Sequence, residues 1–122
     1  MKVIVAGSRN FNNFEVLESS LMKIFKEKQL HRKDVEIVSG TARGADKLGE
    51  IFADKYGLKL SRFPADWDNY GKKAGYLRNV DMAKYAKDDG MLIAFWDGQS
   101  RGTKHMIDIA KDNLLEVYVI SI

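Results

Sequence analysis

The chain predicts an α/β fold: a single-domain three-layer sandwich around a five-stranded, mostly parallel sheet. Three observations lead there. Continuous apolar runs such as Val3-Ile4-Val5-Ala6 and Met91-Leu92-Ile93-Ala94-Phe95 read as strands covered on both faces. Between the strand-like runs lie stretches with apolar residues at helical spacing, so the two types alternate. The length, 122 residues, suits one domain with one sheet-centred core, spanning 1–122.

Val3–Ala6 is the first strand, followed by the loop Gly7-Ser8-Arg9-Asn10-Phe11. Asn12 or Asn13 caps a helix from Phe14 to about Lys28, whose Phe14, Leu17, Leu21, Ile24 and Phe25 share one face. Glutamates in its first turns and lysines in its last follow the helix dipole. Val35–Val38 is the second strand and Ala45–Tyr56 the second helix, with Leu48, Ile51, Phe52 and Tyr56 inward and Gly57 as C-terminal cap. Leu58–Phe63 alternates as an edge strand does, and Pro64 ends it. A polar and aromatic loop, Ala65–Gly75, precedes a helix from about Tyr76 to Lys87 with Leu77, Val80, Ala83 and Tyr85 inward. Met91–Phe95 is the fourth strand. The loop Trp96–Gly102 leads to a helix through about Asn113 that carries Met106, Ile107 and Ala110, and Val117–Ile122 is the last strand.

The first and fourth strands are the most apolar and belong at the centre. Right-handed crossovers then favour the order 3-2-1-4-5. The alternative, 2-1-3-4-5, would bury Lys59, Ser61 and Arg62 of the third strand. Composition narrows the classes further. A formal charge of +3, from 20 basic and 17 acidic side chains mixed along the chain, does not demand a nucleic-acid partner. Zero cysteines exclude a disulfide framework and thiolate chemistry. There is no bilayer-length apolar run and no signal-peptide pattern, so a cytoplasmic protein without membrane contact is expected. His31 and His105 are far apart and no cluster has metal-ligand spacing, so no metal is expected. Neither Gly-x-Gly-x-x-Gly nor a Walker A sequence follows the first strand, and no dinucleotide or other cofactor is expected.

The stretch Ser39-Gly40-Thr41-Ala42-Arg43-Gly44-Ala45-Asp46 is the densest in chemistry. Two glycines permit a tight strand-to-helix turn, the helix start offers unpaired N–H groups, and Arg43 offers a planar fork of donors. With the order 3-2-1-4-5, ligands belong in the crevice between the first and fourth strands, bordered by Gly7-Ser8-Arg9 and Trp96–Gly102, with Ser39–Gly44 beside it. Each of these loops holds a glycine, a hydroxyl and an arginine. Backbone N–H groups at Gly7-Ser8 and Gly102-Thr103 are expected to cradle phosphate, with Arg9, Arg43 and Arg101 neutralising it. Ser8, Ser39, Thr41, Ser100 and Thr103 supply hydroxyls, and Gly98 lies in the same loop as Asp97. Asp46 and Asp97 repel phosphate and suit ribose hydroxyls, although Asp46 equally suits a plain helix start. Trp67, Tyr70 and Trp96 suit base stacking or loop packing, and Arg78 suits an anion or solvent. The carboxylates available for acid/base chemistry are Asp46, Asp68 and Asp97, with Asp66 beside Asp68 in what also reads as a turn.

Five segments carry a family resemblance. Gly7-Ser8-Arg9-x-Phe11, Ser39-Gly40-x-Ala42-Arg43-Gly44-Ala45-Asp46, Phe63-Pro64-Ala65-Asp66-Trp67, Gly71-Lys72-Lys73-Ala74-Gly75-x-x-Arg78-Asn79-x-x-Met82 and Trp96-Asp97-Gly98-x-Ser100-x-Gly102-Thr103 resemble the YspA/YpsA-related branch of the SLOG superfamily. The resemblance implies a Rossmann-like fold, a pocket for nucleotides or nucleotide-derived signals, occurrence in bacteria and phages, and homo-oligomers. Relatives in the superfamily include LOG phosphoribohydrolases, DprA proteins that load single-stranded DNA, and sensors of cyclic ADP-ribose-like signals. The phosphoribohydrolases carry Pro-Gly-Gly-x-Gly-Thr-x-x-Glu. Here Gly102-Thr103 keeps the Gly-Thr pair, and Met106 stands where the catalytic Glu would be.

Three functions follow as expectations. The first is binding of a nucleotide or ADP-ribose-like ligand, as sensor or sequestering module. The second is N-glycoside hydrolysis of such a ligand through Asp46, Asp68 or Asp97. The third is DprA-like binding of single-stranded nucleic acid, which the small net charge does not favour.

Overall fold

The structure, a computed structural model, describes residues 1–122. Strand β1 (Lys2–Gly7) leads into α1 (Phe14–Glu27), where Asn13 Oδ1 accepts the Val16 N–H at 3.1 Å and caps the helix. Strand β2 (Glu36–Ser39) leads into α2 (Ala45–Tyr56), which ends at Gly57 in the left-handed conformation (φ 65°). Strand β3 (Lys59–Arg62) is followed by a single helical turn, α3 (Trp67–Tyr70), a 3-10 turn (Gly71–Lys73) and α4 (Ala74–Ala86). Strand β4 (Gly90–Trp96), α5 (Arg101–Asp112) and β5 (Glu116–Ser121) complete the chain.

The sheet is parallel throughout, in the order β3-β2-β1-β4-β5. β1 and β4 pair from Lys2 opposite Gly90 to Gly7 opposite Phe95, so their C-terminal ends finish level. Alternating residues divide the core. Val3, Val5, Ile37, Ile93 and Phe95 face α1 and α2, whereas Ile4, Ala6, Val38, Leu92 and Ala94 face α4 and α5. That division makes the three layers. β3 carries exposed Lys59 and Arg62 at one sheet edge, where long charged side chains can reach water.

Two helices face differently from the expectation. Ile51 of α2 is half exposed, and the buried row includes Gly49, Phe52 and Ala53, because a Cβ on Gly49 would stand 2.9 Å from Val5 side-chain atoms and the helix lies that close to β1. α4 starts at Ala74 instead of Tyr76, and its buried positions are Ala74, Asn79, Met82, Ala83 and Ala86, with Leu77 exposed. The loop before it is wound into short helical turns, with Asp66 Oδ1 accepting the Asn69 N–H at 3.3 Å.

Phe95 closes the first core face beneath the site. It is fully buried and stacks on Phe11 with ring centroids 5.1 Å apart. Phe95→Ala is expected to cost about 3–5 kcal/mol, read as a lowered urea midpoint at unchanged slope. A loss below about 1 kcal/mol would show that the neighbouring side chains refill the space.

Candidate functional site

A crevice of about 470 Å³ opens at the C-terminal ends of β1 and β4, where the strand order reverses. Three loop-to-helix junctions build it. After β1 the chain turns at Gly7, where a Cβ would overlap the Phe95 carbonyl and stand 2.9 Å from Ala45 Cβ. After β2, Gly44 (φ 83°) lies against the Ser8 carbonyl and the Arg9 backbone, and a Cβ would stand 2.7 Å from Arg9 Cα. The absence of side chains at both positions lets the two loops pack backbone to backbone and brings the start of α2 beside β1. After β4, Asp97 Oδ1 accepts the N–H groups of Gln99 and Ser100 at 2.8 Å each. Ser100 then caps α5, its hydroxyl accepting the Thr103 N–H at 3.4 Å.

Four basic side chains line the crevice, Arg9, Arg43, Lys72 and Arg78, against two carboxylates, Asp46 and Asp97. Arg78 Nη1 donates to the Gly40 carbonyl, and its Nε donates to Asn79 Oδ1 at 3.1 Å. Asn79 is buried and is itself held: its Nδ2 lies 3.3 Å from the Gly102 carbonyl and 3.2 Å from His105 Nδ1. The tautomer that suits this contact carries its proton on Nε2, and burial lowers the His105 pKa. Arg78 is therefore fixed at two points, whereas Arg9 and Arg43 are exposed.

Gly40 matters for space. A Cβ there would stand 2.8 Å from both Arg78 Nη1 and Asp46 Oδ2, so the two charged groups converge over a bare backbone position. Asp46, in the first turn of α2, is 5% exposed and accepts the Ala42 N–H at 3.2 Å. Burial pushes its pKa up to about 6, against the pull of Arg78, the Ala42 N–H and Arg9, while Glu50 pushes it further up. Asp97 goes the other way: its backbone hydrogen bonds from Ser100 and Gln99 hold it below the usual carboxylate range. Beside Asp46, Thr41 adopts φ 66°, a left-handed conformation that a β-branched residue rarely takes. Its N–H donates to Ser39 Oγ at 3.0 Å, and that hydroxyl donates to the buried Glu50 carboxylate at 2.7 Å. The strain costs on the order of 1–3 kcal/mol and is held by this buried network.

The residues singled out from the sequence divide into three groups. Gly7, Ser8, Arg9, Arg43, Asp46 and Trp67 line the crevice, as do Arg78, Asp97, Ser100, Gly102 and Thr103. Gly40 and Thr41 border an adjoining outer space. The others serve the scaffold or lie off the crevice. Ser39 is fully buried beneath Thr41, and Gly44 is a packing contact. Trp96 donates from Nε1 to the Ser100 carbonyl at 3.1 Å and packs against the α4/α5 core face. Gly98, Arg101, Asp68 and Tyr70 are exposed and do not line the crevice. Asp66 caps its own turn, which leaves no Asp66–Asp68 acid/base pair in the crevice.

Ala6, Asn10, Ala42, Lys72, Gly75, Tyr76, Asn79 and Met82 also line the crevice and are not among the site residues expected from the sequence. The buried, polar Asn79 on an otherwise apolar helix face was the available signal. No set of three or more His, Cys, Asp or Glu side chains is placed to hold a metal ion. No helix is long and apolar enough to cross a membrane.

Fold and crevice together define a Rossmann-like α/β domain whose crevice carries four basic side chains against two carboxylates. The chain belongs to the YspA, cpYpsA-related SLOG family, whose model matches residues 1–70. It is similar to the Gene 61 protein of Mycobacterium phage D29, with 34% identity over 113 residues, covering 85% of this chain and 83% of the relative. No solved structure matches the chain.

The Asp46 environment has a measurable consequence. Because its folded pKa of about 6 lies above the ordinary 3.8, the group's contribution to stability is fully present below pH 3.8 and is lost as pH rises through 6. The loss is on the order of 3 kcal/mol. Asp46→Asn removes this dependence, so the variant is expected to gain stability relative to the parent by that amount between pH 4 and pH 7.5, read by denaturant titration at each pH. A stability difference that stays constant with pH would refute the assigned environment.

Proposed function

We propose that this protein binds a nucleotide or nucleotide-derived, ADP-ribose-like molecule in the crevice, as a sensor or sequestering module. The observation that carries the reading is the convergence of Arg9, Arg43 and Arg78 on a crevice that also receives the starts of α2 and α5. Arginine forks suit phosphate oxygens, and the positive dipole ends of α2 and α5 favour an anion. The volume, about 470 Å³, lies in the range of small-molecule sites. Trp67, half exposed at the rim, offers an indole face to a base, and Asp97 offers acceptors to ribose hydroxyls. Membership of the SLOG family supports a nucleotide-related ligand. Met106, buried in the crevice lining, puts a thioether where the phosphoribohydrolases carry their catalytic Glu, which favours binding over turnover.

The test is mass spectrometry of small molecules that co-purify with the protein, followed by calorimetric titration of the compounds found. Arg43→Ala is expected to weaken binding about tenfold or more, the loss of one charge-assisted contact, with the melting temperature unchanged. Unchanged affinity in the folded variant would remove Arg43 from the site.

One observation favours a second reading, N-glycoside hydrolysis. Asp46 is a buried crevice carboxylate with its pKa pushed up to about 6, the range suited to proton transfer near neutral pH. Under this reading, base is released on prolonged incubation, Asp46→Asn abolishes release, and a carboxylate acting as base gives a rate that rises through pH 6. Ligand recovered intact after prolonged incubation refutes it.

A further inference from the structure

His105 stands outside the crevice lining, yet it begins a chain of contacts that ends inside the crevice. Asn79 is the middle link. Its Nδ2 donates to the Gly102 carbonyl at 3.3 Å and to His105 Nδ1 at 3.2 Å, which uses both of its hydrogens. Its Oδ1 is left to accept the Arg78 Nε–H at 3.1 Å. Only one orientation of this buried amide suits all three neighbours. Turned over, it would set Oδ1 against a carbonyl oxygen and an imidazole lone pair, and its NH2 against the guanidinium N–H. Neutral His105 thus fixes the amide that fixes Arg78.

We infer that His105 is a positioning residue and a proton-operated release for Arg78: a proton on its Nδ1 removes the acceptor that orients Asn79, and the crevice then loosens its hold on an anion. The second half rests on the nucleotide reading above. With Nδ1 protonated, two donors face each other across the 3.2 Å contact. An amide that turns to accept the new N–H sets its own NH2 against Arg78 Nε, and one that does not turn is pushed from its place. Arg78 then keeps the Gly40 carbonyl alone as its anchor. The surroundings of His105 are simple. From α4 it meets the Tyr76 ring edge-to-face, with centroids 4.7 Å apart, and the Asn79 amide, with Arg78 beyond it. On α5 the charged neighbour is Asp108, paired with Lys104 at 2.9 Å. Burial pushes the imidazole below its ordinary value and outweighs the opposite pull of Asp108. The strands beneath α5 present Ala6, Leu92, Ala94 and Val117, none of which titrates.

The experiment has two arms, each run on the parent protein and on His105→Gln, which does not titrate and keeps an acceptor for Asn79. The first is heteronuclear NMR without ligand. The Asn79 side-chain amide and the Arg78 Nε–H signals are expected to carry a shift that follows the midpoint of the His105 ring and is missing from the variant. The difference between the two proteins removes the part due to Asp46, which titrates in both. Where His105→Gln folds poorly, Asp46→Asn removes that other titration instead, and the shift is expected to persist. An Arg78 signal that ignores the His105 midpoint overturns the inference and leaves the nucleotide reading standing. The second arm is calorimetric titration with ADP-ribose, whose disubstituted diphosphate keeps the same charge between about pH 5 and pH 8. A proton on His105 also adds positive charge near the crevice, and charge by itself strengthens anion binding at low pH. Release of Arg78 predicts the opposite sign: acidification weakens the parent relative to the variant by about fivefold or more. Parity, or relative strengthening, overturns the release. Absence of ADP-ribose binding to either protein at any pH overturns the nucleotide reading and the anion half of the inference with it, whereas the first arm still decides whether His105 holds Arg78.

Discussion

Backbone lies directly against backbone where the loops after β1 and β2 meet, and everything in the crevice depends on that contact. Gly44 sits on the Ser8 carbonyl and the Arg9 backbone, and Gly7 sits against the Phe95 carbonyl and Ala45. A methyl group at either position would push the first turn of α2 away from the end of β1. Asp46, Arg43 and the α2 N-terminus would move with it. The sheet order supplies the coarse geometry by placing the ends of β1 and β4 side by side, and the two glycines permit the close approach of the loops.

On that frame the crevice balances opposed charges. Asp46 is buried next to the position where Arg78 arrives, and Gly40 leaves the room for both. Burial raises the carboxyl and lowers the guanidinium, while each group's charge favours the ionised form of the other. Under the proposed function, an anion entering at Arg9 and Arg43 adds negative potential beside Asp46 and so favours its protonated form. Ligand charge and Asp46 protonation are thereby linked, and linkage of this kind is reciprocal. Asp97 stays outside the exchange because two backbone N–H groups hold it ionised.

Membership of the SLOG family supports a nucleotide-related ligand, and Met106 stands where the resemblance to the superfamily's phosphoribohydrolases places their catalytic Glu. With Met106 at the lining position, the carboxylates left in the crevice are Asp46 and Asp97. Asp97 is engaged in shaping the loop ahead of α5, which leaves Asp46 as the group on which binding and turnover readings divide.

Much of this protein was legible in its sequence. Continuous apolar runs at Val3–Ala6 and Met91–Phe95 marked the central strands, polar Lys59 and Arg62 marked an edge, and together they determined the strand order and the end of the sheet at which the crevice opens. Glycine, hydroxyl and arginine in three loops marked part of the crevice lining, because loops that follow adjacent parallel strands necessarily end together. Other matters needed the fold. Ser39, Trp96 and Arg101 carry the same chemical groups as residues that line the crevice, yet they point into the core or out to solvent. Lys72 and Asn79 reach it from segments distant in sequence. Residue type and spacing determine which backbone positions come near a site. Whether a side chain turns into it is decided by the packing of neighbouring helices, here by a missing Cβ at Gly40 and by one buried amide, Asn79, that holds Arg78 in place.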